Sequence, residues 1–351
     1  VRILFVNGQP YLPQTVGGVE TSTLEMCLTL RKLGHTAAVM AALESGDLIW
    51  LLNRIKGKTS GSLFPADLNQ GVSVYRGWNQ LEGFPEVIAT EKPDALVIQS
   101  VRPDSHDIAT IGVQKSIKTF FYIHDVSTVE RMRQRPAIPG VGFMANSRFT
   151  AALIQESLGL PCEIIPPLMR PWPAAAGARQ KMVTMINPRG MKGGDIALDI
   201  AEKCADIPFL FVEAWSGKDA EVRRLKQRAA GLKNVTWLAV QKDMRTIYGM
   251  TRLLLVPSQC KETWGRVVTE AHFFGIPSVA SRIGALPDTV GPGGVLVEPD
   301  ASATVWVDAV RSLWDRPDAY AGCSEAARLF SQREEIDPEH VVQRFLRLLE
   351  R

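Results

Sequence analysis

Residues Lys261–Ser281 read KETWGRVVTEAHFFGIPSVAS. Two glutamates, Glu262 and Glu270, stand eight residues apart around a Trp-Gly pair. The apolar run Leu253–Val256 just before them reads as a buried strand ended by Pro257-Ser258, so Gln259–Trp264 is a loop beyond a strand's carboxyl end. A helix is expected from near Arg266, with Val267 to Phe274 as its body, and Gly275 and Pro277 stop it. One carboxylate thus lies in a loop and the other on a helix, with the amides of a helix start between them. Those amides and the helix dipole favour an anion such as phosphate. Carboxylates accept hydrogen bonds from hydroxyls, so a ligand with two polyhydroxylated ends joined by a diphosphate satisfies all three groups. A nucleotide sugar is such a ligand; two surface glutamates beside an ordinary helix start are the alternative.

Outward from this stretch the chain repeats strand, loop and helix. In the first half, strands are expected at Ile3–Val6, Thr36–Met40, Ala95–Ile98, Thr119–Ile123 and Gly142–Ala145, with a helix at Glu20–Leu33. In the second half, strands are expected at Met182–Ile186, Phe209–Val212, Thr236–Leu238, Leu253–Val256, Ser278–Ala280 and Val295–Val297. Helices there fall at Asp195–Cys204, Asp219–Ala230, Met244–Met250, Val267–Phe274 and Ala303–Leu313, and an amphipathic helix closes the chain at Pro338–Arg351. Strands separated by helices imply parallel sheets covered on both faces. The rhythm breaks at Pro166–Gln180, PPLMRPWPAAAGARQ, where four prolines mark a linker. The chain therefore reads as an α/β protein of two domains: 1–165, a linker at 166–180, 181–335, and a terminal helix at 336–351. Ligands bind beyond the carboxyl ends of parallel strands, which places the expected site in a cleft between the domains.

Composition narrows the function classes. A net charge of +3 argues against a dedicated nucleic-acid binder. Five scattered cysteines without a Cys-x-x-Cys pair fit a reduced compartment better than a disulfide framework. No His-Glu-x-x-His motif marks a zinc site, and no Asp-x-Asp motif follows a strand, so neither a metal nor a cofactor is expected. With no apolar run of about 18 residues, the protein is expected in the cytoplasm, with a possible contact at the inner membrane face. That contact rests on DLIWLLNRIKGK (47–58), which combines Trp and Leu with three basic residues. It reads either as an interfacial helix on anionic lipid or as a surface helix with its apolar face in the core. The second is the expectation.

Further constellations follow strands. INPRGMKGGD (186–195) runs from a strand into a helix, and its Arg189 and Lys192 beside Gly193-Gly194 suit a diphosphate. Gly17 and Gly18 follow the first strand's loop but do not form the Gly-x-Gly-x-x-Gly fingerprint, which disfavours a dehydrogenase. GVGFMA (140–145) mimics that fingerprint; it is set aside because its last residues read as a strand and no helix is expected to open there. His124 ends the strand in FYIHDVS. Trp215, in FVEAWSGKD, either borders a nucleotide base or fills the layer between helix and sheet.

Glu262-x7-Glu270 with its Trp-Gly, then GIPSVAS and IGALPDTVG, resembles the C-terminal signature of glycosyltransferase family four across Ser258–Asp300. The resemblance implies the GT-B fold, two facing Rossmann-like domains. It also implies a retaining, metal-independent hexosyltransferase that moves a sugar from a nucleotide-diphosphate donor to a sugar, lipid-linked or small-molecule hydroxyl acceptor. It assigns donor-sugar hydroxyls to Glu262, the ribose to Glu270, and sugar and phosphate contacts to the amides of Gly265, Arg266 and Val267. Arg189 and Lys192 resemble the family's Arg and Lys that neutralise the leaving diphosphate. Gly17-Gly18 matches a pair approaching the donor from the first domain, and His124 a histidine near the reacting sugar. Compressed spacing around Arg189, and IIPPLMRP where the family has Asn-Gly-Val-Asp, depart from that pattern. A sugar-nucleotide epimerase of this architecture and a non-catalytic nucleotide-sugar binder remain as alternatives.

Overall fold

The computed structural model describes residues 1–172, 180–214, 219–241 and 243–350, so Trp215 and residues 173–179 of the expected linker lie outside the described residues. Two compact units emerge: Val1–Arg170 joined by the chain from Glu335 onward, and Pro171–Glu334. The elements of the first half are β1 (Arg2–Pro10), α1 (Gly18–Lys32), β2 (Thr36–Ala42), α2 (Leu48–Ser60), β3 (Ala66–Asn69), β4 (Val72–Gly77) and α3 (Gln80–Glu91). They continue with β5 (Ala95–Gln99), α4 (Ser105–Gln114), β6 (Lys118–Ile123), α5 (Val126–Met132), β7 (Val141–Ala145), α6 (Arg148–Leu158) and β8 (Glu163–Ile164). The second half runs β9 (Met182–Ile186), α7 (Gly194–Lys203), β10 (Phe209–Val212), α8 (Ala220–Ala230), β11 (Val235–Leu238), α9 (Met244–Met250) and β12 (Thr251–Val256). It ends with α10 (Arg266–Phe273), β13 (Ser278–Ser281), α11 (Leu286–Val290), β14 (Gly294–Val297), α12 (Ala303–Trp314), α13 (Pro317–Phe330) and α14 (Pro338–Glu350).

The first unit's sheet has the order β3-β4-β2-β1-β5-β6-β7-β8, parallel except where β3 runs antiparallel to β4. The second unit's sheet is wholly parallel, β11-β10-β9-β12-β13-β14. This is the doubly wound Rossmann order, in which the chain reverses direction between its first and fourth strands. In the second unit that switch point lies between β9 and β12; in the first it lies between β1 and β5.

Alternation along each strand divides the core. Ile3 and Phe5 of β1 join α1 and α14 on one face, while Leu4 and Val6 join α3 and α4 on the other. Val183 and Met185 likewise pack toward α7 and α12, and Leu254 and Val256 toward α10. Burial on both faces is why these strands read as unbroken apolar runs. Beyond β8 the chain stays in the first core: Ile165 and Leu168 are buried, and Arg170 pairs with Glu25 at 3.1 Å.

Two expectations fail. Helix α2 buries none of its residues, so its apolar face does not enter the core. And a helix does open after GVGFMA: Ser147 caps α6 by accepting from the Thr150 amide at 3.1 Å. The mimic is rejected for a different reason, since Gly140 precedes β7 and Gly142 lies within it, leaving neither glycine in the strand-to-helix turn.

The terminal helix is integral to the first unit. Phe345 is fully buried and stacks on Phe5 with centroids 6.1 Å apart. Phe345→Ala should lower the unfolding free energy by about 3–5 kcal/mol in urea titration; a loss under about 1 kcal/mol would show that α14 contributes little to this core.

Candidate functional site

The second unit's switch point is built by two loops that touch. After β9, Asn187 takes a left-handed φ of 61°, and a single 3-10 turn, Gly190–Lys192, leads to Gly193 at φ 80°. Any Cβ on Gly193 would collide with the Pro257 carbonyl, so only glycine lets the two loops meet. The amides of Gln259 and Cys260 both donate to the Met191 carbonyl, at 3.0 and 3.2 Å. This backbone clasp brings Lys192 Nζ to 2.6 Å from Glu262 Oε1, which also accepts from Ser258 Oγ at 2.8 Å. Both charged side chains are largely buried, at 23% and 16% exposure, so the pair is shielded and oriented rather than a mobile surface contact.

A third loop fixes the backbone of Glu262. Gly284, at φ 59°, lies so close to Glu262 that a Cβ would overlap its carbonyl, and the Ala285 amide donates to that carbonyl at 2.7 Å. Gly265, at φ 86°, opens α10, and no side chain caps that helix. The Trp264 indole donates to Thr269 Oγ1 at 3.1 Å, and Thr289 Oγ1 donates to the Trp264 carbonyl. The backbone of the loop carrying Glu262 is therefore fixed by contacts from both sides.

Glu270 lies in the second turn of α10 and is 12% exposed. It accepts from Tyr248 Oη at 2.8 Å and pairs with Arg266 at 3.3 Å. Burial first, and the Glu270 charge second, push the Tyr248 phenol well above its ordinary range, so it remains a proton donor to the carboxylate. Arg189 pairs with Asp219 at 3.0 Å, where Asp219 also accepts from the Glu221 amide at the start of α8. Val267 follows Arg266 in the first turn of α10. At the ends of β10 and β11, the Trp237 indole donates to Glu213 Oε1 at 2.7 Å.

The other expected residues belong to the first unit. His124 follows β6; its ring rests on Tyr122 with centroids 4.0 Å apart, and its Nε2 lies 3.3 Å from Gln99 Nε2. The Gln99 amide reaches Thr23 of α1 on its other side, at 2.8 Å. Gly17 caps α1 with extended backbone, and Gly18 is that helix's first residue. A Cβ on Gly17 would press on the buried Glu20 carboxylate, which accepts from Asn7 Nδ2 at 3.1 Å. Gly17 thus makes room for an acid at its own helix start.

Sequence reading missed Ser258, Tyr248, Gly284 and the Asp219 contact to Arg189. Ser258 was detectable as a polar residue just past a strand. Gly284 stands in IGALPDTVG, whose pattern gives no sign of the close approach it makes to Glu262. The other two act across separations of 22 and 30 residues, which no local pattern reveals.

Two Rossmann-like units, one carrying this clasped switch point, define the GT-B class of fold. Over 99% of this chain and 97% of theirs, the residues of a Rickettsia africae glycosyltransferase superpose with a TM-score of 0.75 at 16% identity. HepE of Anabaena, solved in complex with UDP and glucose, covers 99% of each chain with a TM-score of 0.76 at 17% identity. At such identities the likeness is one of fold. Residues 190–316 match the family model of glycosyl transferases group 1. A D-inositol 3-phosphate glycosyltransferase of Mycolicibacterium smegmatis is 31% identical over 169 residues, 45% of this chain and 38% of that protein. The corresponding protein of Saccharomonospora viridis is 36% identical over 94 residues, 26% of this chain and 21% of that one. The chain thus spans only about a fifth to two fifths of the length of these relatives.

Helix α10 carries a pH-sensitive support on its inner side. Burial, with a smaller push from the Arg333 charge, lowers the His272 imidazole to about 4. The native state keeps it neutral, while the unfolded chain takes up a proton near the ordinary value of about 6.5. Its contribution is therefore intact above about pH 6.5 and lost as pH falls toward about 4, by on the order of 3 kcal/mol. Urea midpoints should fall more steeply over that window in the wild type than in His272→Gln; parallel curves would reject the assignment.

Proposed function

We propose that this protein transfers a sugar from a nucleotide-diphosphate sugar to a hydroxyl acceptor, with retention at the anomeric carbon and without a divalent ion. The observation that carries the reading is the Lys192–Glu262 pair, clasped at the second unit's switch point beside the uncapped start of α10. Donor binding there follows from the chemistry of the groups. Lys192, Arg189 and the amides of Gly265, Arg266 and Val267 supply positive potential for a diphosphate. Glu262 accepts from sugar hydroxyls, and Glu270, steadied by Tyr248, accepts from a ribose. The segment around Trp237 borders the base.

In the proposed reaction, the bond between the anomeric carbon and the phosphate oxygen breaks as Lys192 and Arg189 stabilise the charge left on the diphosphate. The acceptor oxygen bonds to the anomeric carbon from the same face, and its proton passes to that phosphate oxygen. His124 and the Gly17-Gly18 turn belong to the first unit, which we assign to the acceptor and to positioning of the sugar. Glycans, lipid-linked sugars and small molecules are the acceptor classes considered. HepE is solved with UDP-glucose, so UDP-glucose is the first donor to try; the named relatives make an inositol phosphate the first acceptor.

A thermal-shift screen of UDP-, GDP-, ADP- and TDP-sugars should raise the melting temperature for one base, because a ligand bound only to the folded state stabilises it. With that donor, Lys192→Ala and Glu262→Gln should each lower kcat by about 10²-fold or more, and EDTA should leave turnover unchanged. Loss of turnover with EDTA overturns metal independence. Donor conversion without an acceptor would identify an epimerase, and binding without transfer or hydrolysis a non-catalytic receptor.

A further inference from the structure

The apolar side of α2 is exposed. Leu48, Leu51, Leu52 and Ile55 are 67, 48, 48 and 51% exposed, and no residue of the helix is buried. Yet the helix is firmly made. Asp47 caps its start by accepting from the Trp50 amide at 2.8 Å, and Gly61, at φ 71°, ends it. It is held to the first unit by polar groups: Asn53 donates to the Arg76 carbonyl at 3.1 Å, and Lys56 donates to the Ala66 carbonyl at 3.2 Å.

The placement of side chains around the helix is ordered. At about 100° per residue, the four exposed apolar residues fall in one stripe about 100° wide. Ile49, Trp50, Asn53 and Gly57, the half-buried positions of the helix, lie on the opposite side. Arg54 and Lys58 flank the stripe on one edge and Lys56 on the other, and no Asp or Glu occurs from Leu48 to Ser60. Arg54 also lies over the Trp50 ring, 5.1 Å from its centroid.

We propose that α2 seats the first unit on a membrane surface rich in anionic phospholipid. The stripe enters the acyl boundary, and Arg54 and Lys58 reach the phosphate level, as expected of a helix lying in the interface plane. The charge pattern selects this occupant. A second copy docked symmetrically through the same stripe would set these cations against their own counterparts, whereas an anionic bilayer neutralises them. The inference is independent of the reading of the sugar-donor site.

Vesicle co-sedimentation tests it, comparing phosphatidylcholine alone with phosphatidylcholine containing phosphatidylglycerol. The wild type should partition onto the anionic vesicles at least about tenfold better than onto the neutral ones. Leu51→Glu with Ile55→Glu should abolish that binding, and Arg54→Gln with Lys58→Gln should weaken it and reduce its salt sensitivity. All four residues are exposed, so melting temperatures should be unchanged. Absence of binding, equal binding to both vesicle types, or binding indifferent to both double variants would overturn the proposal. So would self-association in the ultracentrifuge that the Leu51→Glu, Ile55→Glu variant abolishes, since the stripe would then belong to a second copy.

Discussion

Gly193 stands directly against the carbonyl of Pro257, a contact no side chain could accommodate, and the site of the second unit depends on that approach. It joins the loop after the first strand of the sheet to the loop after the fourth, at the point where the winding reverses. Two amides on one loop share the Met191 carbonyl of the other, so the loops hold each other through backbone alone. Side chains are then free to carry chemistry. Gly284 repeats the device on the far side of Glu262. A flexible pair of loops would leave Lys192 and Glu262 to find each other at an entropic cost; here the main chain has already placed them.

The cations of this site are all paired within the protein. Lys192 has Glu262, Arg189 has Asp219, and Arg266 has Glu270. Partly buried charges without partners are costly to hold, and each of these cations is held by a carboxylate. In the proposed reaction a diphosphate takes over Lys192, and Glu262 is released to accept from hydroxyls. Tyr248 differs in kind: its buried phenol keeps its proton and orients Glu270 without competing for the ligand.

Two amphipathic helices of similar length meet opposite fates. Helix α14 spends its apolar stripe on the first core, where Val341, Val342 and Phe345 are fully buried. Helix α2 turns a comparable stripe outward and is held by Asn53 and Lys56 instead. An apolar stripe states that something must cover it, not what does. That is why the expectation that α2 faces the core fails while α14 packs as its pattern suggests.

Local pattern made much of the chain legible. Met182–Ile186, Phe209–Val212 and Met244–Met250 match their observed bounds, and α10 begins at Arg266 where Gly265 and the preceding strand end place it. Apolar periodicity and Gly or Pro punctuation act over a few residues, and these elements obey them. The antiparallel edge strand β3 and helix α6 passed unread, because a short edge strand has little apolar pattern and the Asn-Ser before α6 reads equally as loop or cap. By itself, the sequence determined the alternation of strands and helices, the two-unit division, and the placing of Glu262 and the basic loop beyond strand ends. Only the tertiary structure decided which carboxylate each cation meets, that Tyr248 supports Glu270, and that α2 faces outward. Those contacts join segments up to 70 residues apart, as Lys192 and Glu262 are, and depend on strand order and backbone approach rather than on any period in the chain.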